Sequence, residues 1–236
     1  MCGRYRLKDP KEAFEWLEVV PAFDVRPRFN IAPSSQRVPV VAGAGQVEEM
    51  IWGIVPVWAK EISKALINAR SESVREKRSF KSSFQQRRCL VPADGFYEWA
   101  RIGKMPYFFT VDGGAPFAIA GIWEQAQDVP RCCLLTTSAN HVLEPIHDRM
   151  PVIVRREDWD EWLSPAELAD RSFQRITSPY RGDEMAAVPV SPLVNSARVD
   201  DPRCCEAAAS APEAPQKLKI TREGPGKPDG QETLGI

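Results

Sequence analysis

Residues 88–99 read Arg88-Cys89-Leu90-Val91-Pro92-Ala93-Asp94-Gly95-Phe96-Tyr97-Glu98-Trp99. Two short runs of apolar and aromatic residues stand close together here, and such runs fit a pleated, half-buried surface. Working outward, Tyr107 to Val111, Phe117 to Trp123 and Cys132 to Thr137 repeat the signal, separated by glycine, proline or charged turns. Toward the N-terminus, Val38 to Ala42 is a strand, Gly43 and Gly45 form the turn, and Glu49 to Val55 is its hairpin partner. Toward the C-terminus, Val152 to Val154 and Met185 to Val190 are further strands.

Helices are few. Lys11 to Val20 spaces Phe14, Leu17 and Val20 along one face. Ser71 is placed to cap a basic helix running to about Arg78. Ala139 to Glu144 is at most one helical turn, and His147-Asp148-Arg149-Met150-Pro151 is a loop. Arg156 to Leu163 puts Trp159 and Trp162 on one face, and Ser164-Pro165-Ala166-Glu167 matches a capping box that opens another helix. The sequence therefore predicts an α+β domain with a β-rich, barrel-like core and flanking short helices over residues 1–204. Residues 205–236 shift to Ala, Pro, Glu, Lys and Gly and read as a disordered tail.

With 236 residues, 43% of them hydrophobic, the chain can bury one sizeable core. No apolar run is long enough to span a membrane and no signal peptide is recognisable, so a cytoplasmic monomer is expected. Six cysteines without a C-x-x-C pair, and two histidines, argue against a zinc site, and no cofactor is expected. On a strand, Cys132 and Cys133 point to opposite faces, so at most one of them is expected in the core. Net charge is −1, yet between Lys60 and Arg88 nine basic residues face three acidic ones, a local excess of six. Such a segment either tracks phosphates or is a solvated helix face, and charge alone leaves both open.

The chemistry begins at Cys2. Removal of Met1 would leave an α-amine and a thiol on one residue, both partly reactive near neutral pH. An amine condenses with an aldehyde to an imine. A thiol on the same residue can then close a five-membered thiazolidine, so a terminal cysteine is a matched aldehyde trap. Three polar residues interrupt apolar stretches in ways a core does not require: Asn68 after Leu66-Ile67, Glu98 between Tyr97 and Trp99, and His147 in a proline-bounded loop. A carboxylic acid in aromatic surroundings has a raised pKa and can help expel water from a carbinolamine. A histidine can exchange a proton with a sugar oxygen as its ring opens, and an asparagine can orient the amine without competing as a nucleophile.

Six blocks carry a family resemblance: Met1-Cys2-Gly3-Arg4-Tyr5; Asn30-Ile31-Ala32-Pro33; Trp52-Gly53 with Pro56-x-Trp58-Ala59-Lys60; Asn68-Ala69-Arg70-Ser71-Glu72; Gly95-Phe96-Tyr97-Glu98-Trp99; and His147-Asp148-Arg149-Met150-Pro151. In this order, over Cys2 to about Asn195, they resemble the SOS-response-associated peptidase (SRAP) family; Asp200 to Cys205 follows the family's ending only loosely. The resemblance implies a single domain of the DNA-damage response that binds single-stranded DNA and crosslinks to abasic sites through Cys2. By the same resemblance Asn68 and His147 position and protonate the opened sugar, Glu98 shuttles protons, and a peptidase activity exposes Cys2. Arg4, beside the nucleophile, and Arg70, beside Asn68, are placed to meet phosphates. Trp58 can stack on a base or sit in the core, Arg149 can meet a phosphate or pair with Asp148, and Ser71, Ser138 and Asn140 complete the candidate DNA contacts. The expected partner is single-stranded DNA containing abasic sites, with the protein at the nucleoid when bound. Two rival readings are an N-terminal-nucleophile cysteine amidohydrolase and a non-catalytic reader of modified bases.

Overall fold

A computed structural model of the chain describes residues 2–34, 37–43, 45–56, 65–126 and 129–208. The chain opens with strand β1 (Arg4–Leu7), helix α1 (Pro10–Trp16) and β2 (Arg28–Ile31). The hairpin β3 (Arg37–Ala42) and β4 (Gln46–Trp52) precedes β5 (Asn68–Arg70) and two short helices, α2 (Ser71–Val74) and α3 (Lys81–Gln86). Then come β6 (Arg88–Ala93), β7 (Gly95–Trp99), β8 (Pro106–Val111), β9 (Phe117–Ala126) and β10 (Val129–Ser138). The chain continues through β11 (Arg149–Pro151), β12 (Ile153–Val154), α4 (Trp159–Leu163), α5 (Asp170–Thr177) and β13 (Met185–Pro189).

Strands β10, β4, β3, β6 and β9 pair in that order, and β10 pairs again with β9, which closes a five-stranded barrel. Closure leaves those strands no open edge. The far half of β10 outruns the barrel and pairs with β5 and β11. A second sheet, in the order β13-β8-β7-β1-β2, packs beside it. One core layer joins the two sheets through Val91, Phe96, Phe109 and Ile119, and another lies under the helices through Phe84, Leu90, Trp162 and Ile176. The expected α+β architecture with a barrel core is the one found.

The β1–β7 pairing sets the head of the chain, and Gly95 lets it form. A Cβ there would lie 2.0 Å from Phe108 Cζ, so no larger residue fits without displacing the ring. Arg6 sits over that ring at 4.3 Å and pairs with buried Asp94. Behind β2, Asn30 donates to the carbonyls of Val194, Ser196 and Val199 at 3.2, 3.0 and 2.7 Å. Asp200 accepts from the backbone N–H groups of Phe29 and Asn30 at 2.6 and 2.9 Å. The segment after β13 is thus strapped across the small sheet. It stays paired through Ala208, which donates to Pro189 at 3.0 Å; residues 209–236 lie outside the described residues.

Several local expectations change in three dimensions. Helix α1 stops at Trp16 because Glu18 takes a left-handed φ of 56°, and Val20 is 91% exposed instead of packed. The basic helix after Asn68 ends at Val74, with Arg70 and not Ser71 in the N-cap position. No helix starts at Ser164: the Arg88 guanidinium takes the carbonyls of Ser164 and Ala166, which holds that segment as a bend, and α5 begins only at Asp170. Cys132 and Cys133 are both fully buried, because β10 is covered on both faces, one thiol in each core layer. Arg149–Pro151, read as loop, is strand β11, paired with the end of β10.

Candidate functional site

Four strand heads or strands converge. Cys2 lies two residues before β1, whose register sets Arg4 opposite Tyr97 and Tyr5 opposite Phe96, so the start of the chain runs beside Glu98 and Trp99 on β7. Asn68 opens β5, aligned in parallel with Leu134 of β10. His147 sits two residues before Arg149, which opens β11 and pairs with Ser138 on the same β10. One long strand therefore fixes the asparagine and the imidazole, while the small sheet fixes the cysteine and the glutamate.

Contacts tie these pieces together. Asn68 Nδ2 donates to the carbonyl oxygen of Cys2 at 2.8 Å. Beneath them, Trp52 Nε1 donates to Ile67 at 2.8 Å, and its ring meets Tyr5 at 5.5 Å, which fixes β5 against β1. Cys2 is wholly buried, and its thiol is pushed far up, by burial first and then by the charge of Glu98. Glu98 is 2% exposed, so it is not the solvent face of an alternating strand. Burial raises its carboxyl to about 7, and the charge of Asp148 also acts in that direction. At neutral pH Glu98 is thus divided between acid and carboxylate, the condition that suits a group both giving and taking protons.

His147 is held low by burial. Its Nδ1 accepts from the backbone N–H of Arg149 at 3.0 Å, which in the neutral ring leaves the proton on Nε2. The same Nδ1 lies 3.2 Å from the Arg149 carbonyl and 3.3 Å from Asp148 Oδ1, acceptors it can use when protonated. The structure thus brings Cys2 and Asn68 together with Glu98 near enough for its charge to act on the Cys2 thiol, and sets Asp148, beside His147, where its charge acts on Glu98.

The expected DNA contacts divide. Arg70 is exposed beside Asn68, and Ser138 is exposed at the end of β10. Arg4 is half-buried, with one nitrogen bonded to Asn30 Oδ1 at 2.9 Å and the Val194 carbonyl at 2.6 Å, and its guanidinium 5.9 Å from the Trp99 ring. Arg149 does not face outward. It forms a two-point pair with Glu72 at 2.5 and 2.9 Å, adds the Thr136 carbonyl at 2.6 Å, and so is neutralised before any phosphate arrives. Asn140 is likewise spent: it caps the turn through Val142 and Leu143 and donates to Tyr180. Ser71 is buried at the start of α2. Trp58 lies outside the described residues.

The basic segment is not one continuous strip either. Arg75 pairs with Asp170 at 2.5 Å, Arg87 donates to Trp123, and buried Arg88 is held by four carbonyls, whereas Lys77, Arg78 and Lys81 are exposed; Lys60 and Lys64 lie outside the described residues. A cleft of about 700 Å³ between the end of α1, β3 and α4 has Arg88 in its wall, and those same carbonyl bonds leave it a structural seam. Sequence reading missed Asp148 and Arg101, which pair at 3.5 Å at the edge of the site; the HDRMP block contained the aspartate, but nothing signalled an arginine in the turn after β7. Among the described residues no cluster of three or more His, Cys, Asp or Glu could hold a metal, and no helix is long and apolar enough to cross a membrane.

The family model for the SOS response associated peptidase (SRAP) matches residues 1–197. The abasic site processing protein YoqW of Bacillus subtilis is 36% identical over 222 residues, covering 87% of this chain and 99% of its own. The abasic site processing protein HMCES of Gallus gallus is 30% identical over 223 residues, covering 76% of this chain and 66% of its own. A crystal structure of a Bacteroides thetaiotaomicron protein superposes with a TM-score of 0.76 over 88% of this chain and 100% of that one; at 22% identity it speaks to the fold alone.

Proposed function

Because the chain belongs to the SOS response associated peptidase family, we propose that it captures abasic sites in single-stranded DNA, by a covalent thiazolidine crosslink through Cys2. Support comes from the names of its relatives and, in this chain, from one observation above all. Asn68 holds the backbone of Cys2 at 2.8 Å beside a buried glutamate whose carboxyl is poised near 7.

With Met1 removed, the reaction runs in four steps. The abasic deoxyribose opens as the His147 imidazolium, its Nδ1–H facing Asp148, gives its Nε2 proton to the ring oxygen and becomes neutral, while the Glu98 carboxylate accepts the anomeric hydroxyl proton, leaving an aldehyde at C1′. The Cys2 amine adds to that carbon, and proton transfer gives a neutral carbinolamine. Glu98, now the acid, protonates the hydroxyl, which leaves as water, and the C–N bond becomes an iminium. The Cys2 sulfur then bonds to C1′ while its proton passes to the Glu98 carboxylate. The ring nitrogen keeps its hydrogen, so aldehyde, amine and thiol become thiazolidine and one water.

Asn68 contributes by holding the residue in place, since effective molarity depends on geometry at the ångström scale. Arg70 and Ser138 are the proposed contacts to the flanking strand. Self-cleavage after Met1, with the same thiol as nucleophile, accounts for the family's name. The test is incubation of the mature protein with a single-stranded oligonucleotide carrying one abasic site. An adduct stable in a denaturing gel is expected from the native chain and none from Cys2→Ala. Equal adduct from both would refute the reading.

A further inference from the structure

Of the cations that the described residues set around the site, Arg149 is committed to Glu72 and Arg4 has one nitrogen committed to Asn30 and Val194. Arg101 differs. It stands in the turn between β7 and β8, 61% exposed, and its partner is Asp148 at 3.5 Å, itself 67% exposed. The turn is stiffened by a backbone bond from Ala100 to Met105 at 2.9 Å and by left-handed Gly103 and Lys104, so Arg101 is carried on a defined tip. Asp148 is fixed at its other end, where its carbonyl accepts from Ala139 at 3.0 Å. Its carboxylate oxygen thus faces the Arg101 guanidinium on one side and, at 3.3 Å, His147 Nδ1 on the other, a nitrogen that becomes a donor to it only when the ring is protonated.

An exposed pair of this kind contributes little, whereas a guanidinium on a phosphate gains a charge-assisted, two-point contact. Resting on the DNA reading above, we propose that Arg101 and Asp148 form a latch that a DNA strand opens. A backbone phosphate draws Arg101 away, and the Asp148 carboxylate is left to hold His147 alone. Arg101 is then a phosphate contact and Asp148 a positioning residue for the imidazole.

The electrostatics run in the same direction. Burial first, and then the α-ammonium group of the chain, disfavour the imidazolium; Asp148 and the Arg149 backbone favour it, and Arg101 opposes it. Glu98 on β7 faces the same aspartate. Releasing Arg101 removes one opposing charge, and a unit charge a few ångströms away near the surface is worth on the order of half a pH unit. Engagement of the strand and readiness of the acid that opens the sugar are thereby coupled.

The chain has two histidines, so the His147 ring can be followed by NMR titration. An intact single-stranded oligonucleotide should raise the His147 pKa by roughly half a unit in the native protein and leave it unmoved in Asp148→Asn. Arg101→Gln should raise it without DNA and lower the salt slope of strand affinity by about 0.7, one released counterion. Crosslinking by Asp148→Asn should lose rate at a lower pH than the native protein does. An unmoved His147 on binding DNA, or an unchanged salt slope in Arg101→Gln, would overturn the latch while leaving an adduct-forming protein in place. Absence of both adduct and strand binding in the native protein would instead remove the DNA reading, and the latch with it.

Discussion

The side-chain amide of Asn68 grips the main-chain carbonyl of Cys2 at 2.8 Å, joining β5, the strand paired with the far half of β10, to the head of the chain. Because that bond holds a backbone atom, Asn68 acts on where the terminal amine points. Asn68→Ala is expected to lower the single-turnover crosslinking rate by about 100-fold. The lost hydrogen bond should cost about 1 kcal/mol of stability by urea denaturation. Loss of rate in proportion to loss of folded protein would show that the contact is merely structural.

Cys2→Ser separates nitrogen from sulfur chemistry. The variant keeps its α-amine, so it should still form an imine with abasic DNA, visible as an adduct only after borohydride reduction. Without reductant the adduct should be hydrolysed within the assay. A stable unreduced adduct from the serine variant would show that ring closure by sulfur is not what makes the product last.

Glu98 predicts a pH-dependent stability difference. Its carboxyl is raised from 4.5 to about 7 by burial, so the folded state holds a proton that the unfolded chain gives up in that window. The contribution is intact below about 4.5 and is lost as pH rises through about 7. Glu98→Gln has no such loss, and should gain on the native protein by about 3 kcal/mol between acid and pH 9, at about 1.4 kcal/mol per pH unit. Parallel urea melts at pH 5 and pH 9 measure it. The same variant should crosslink at least 100-fold more slowly at neutral pH.

Arg149 is expected to behave as a structural residue. Arg149→Gln breaks a two-point pair with Glu72 and a bond to the Thr136 carbonyl, and should cost about 2 kcal/mol. Glu72 is about half exposed and can recover water, which keeps the figure below that of a fully buried pair. The salt dependence of DNA affinity should not change. A reduced salt slope with unaltered melting would return Arg149 to the DNA.

Gly95→Ala tests the seating of the head of the chain. The added methyl would meet the Phe108 ring at 2.0 Å, and over-packing of that kind costs about 3 kcal/mol. Calorimetry should register the loss, and crosslinking should fall with it, since β7 shifts at the position paired with Arg6 on β1, the strand that Cys2 leads into.

The strands were legible because β-branched and aromatic runs punctuated by glycine and proline announce themselves locally. β6, β7, β8 and β13 fall within a residue or so of their expected bounds. What failed depends on partners far along the chain. The capping box at Ser164 is sound by itself, yet Arg88, 76 residues earlier, takes the carbonyls a helix would have needed. Arg149, two residues from His147, was open to a phosphate or to its sequence neighbour Asp148, while its partner in space is Glu72. Asn68, Glu98 and His147 were visible as polar residues where apolar ones were due. Arg101 was not, since an arginine in a surface turn is ordinary until its partner across the site is known.

The depth at which Cys2 sits has a bearing on survival in a damaged cell. Oxidants that break DNA also attack thiolates, and a sulfur kept as the thiol, screened from solvent, offers peroxide almost nothing to react with. If Cys2 acts as proposed, discrimination comes from sequence of events: an electrophile has to be brought to the sulfur by the adjacent nitrogen before the sulfur does anything. On the proposed reading, a warhead stored in this way waits through oxidative stress unspent and responds only to the lesion itself.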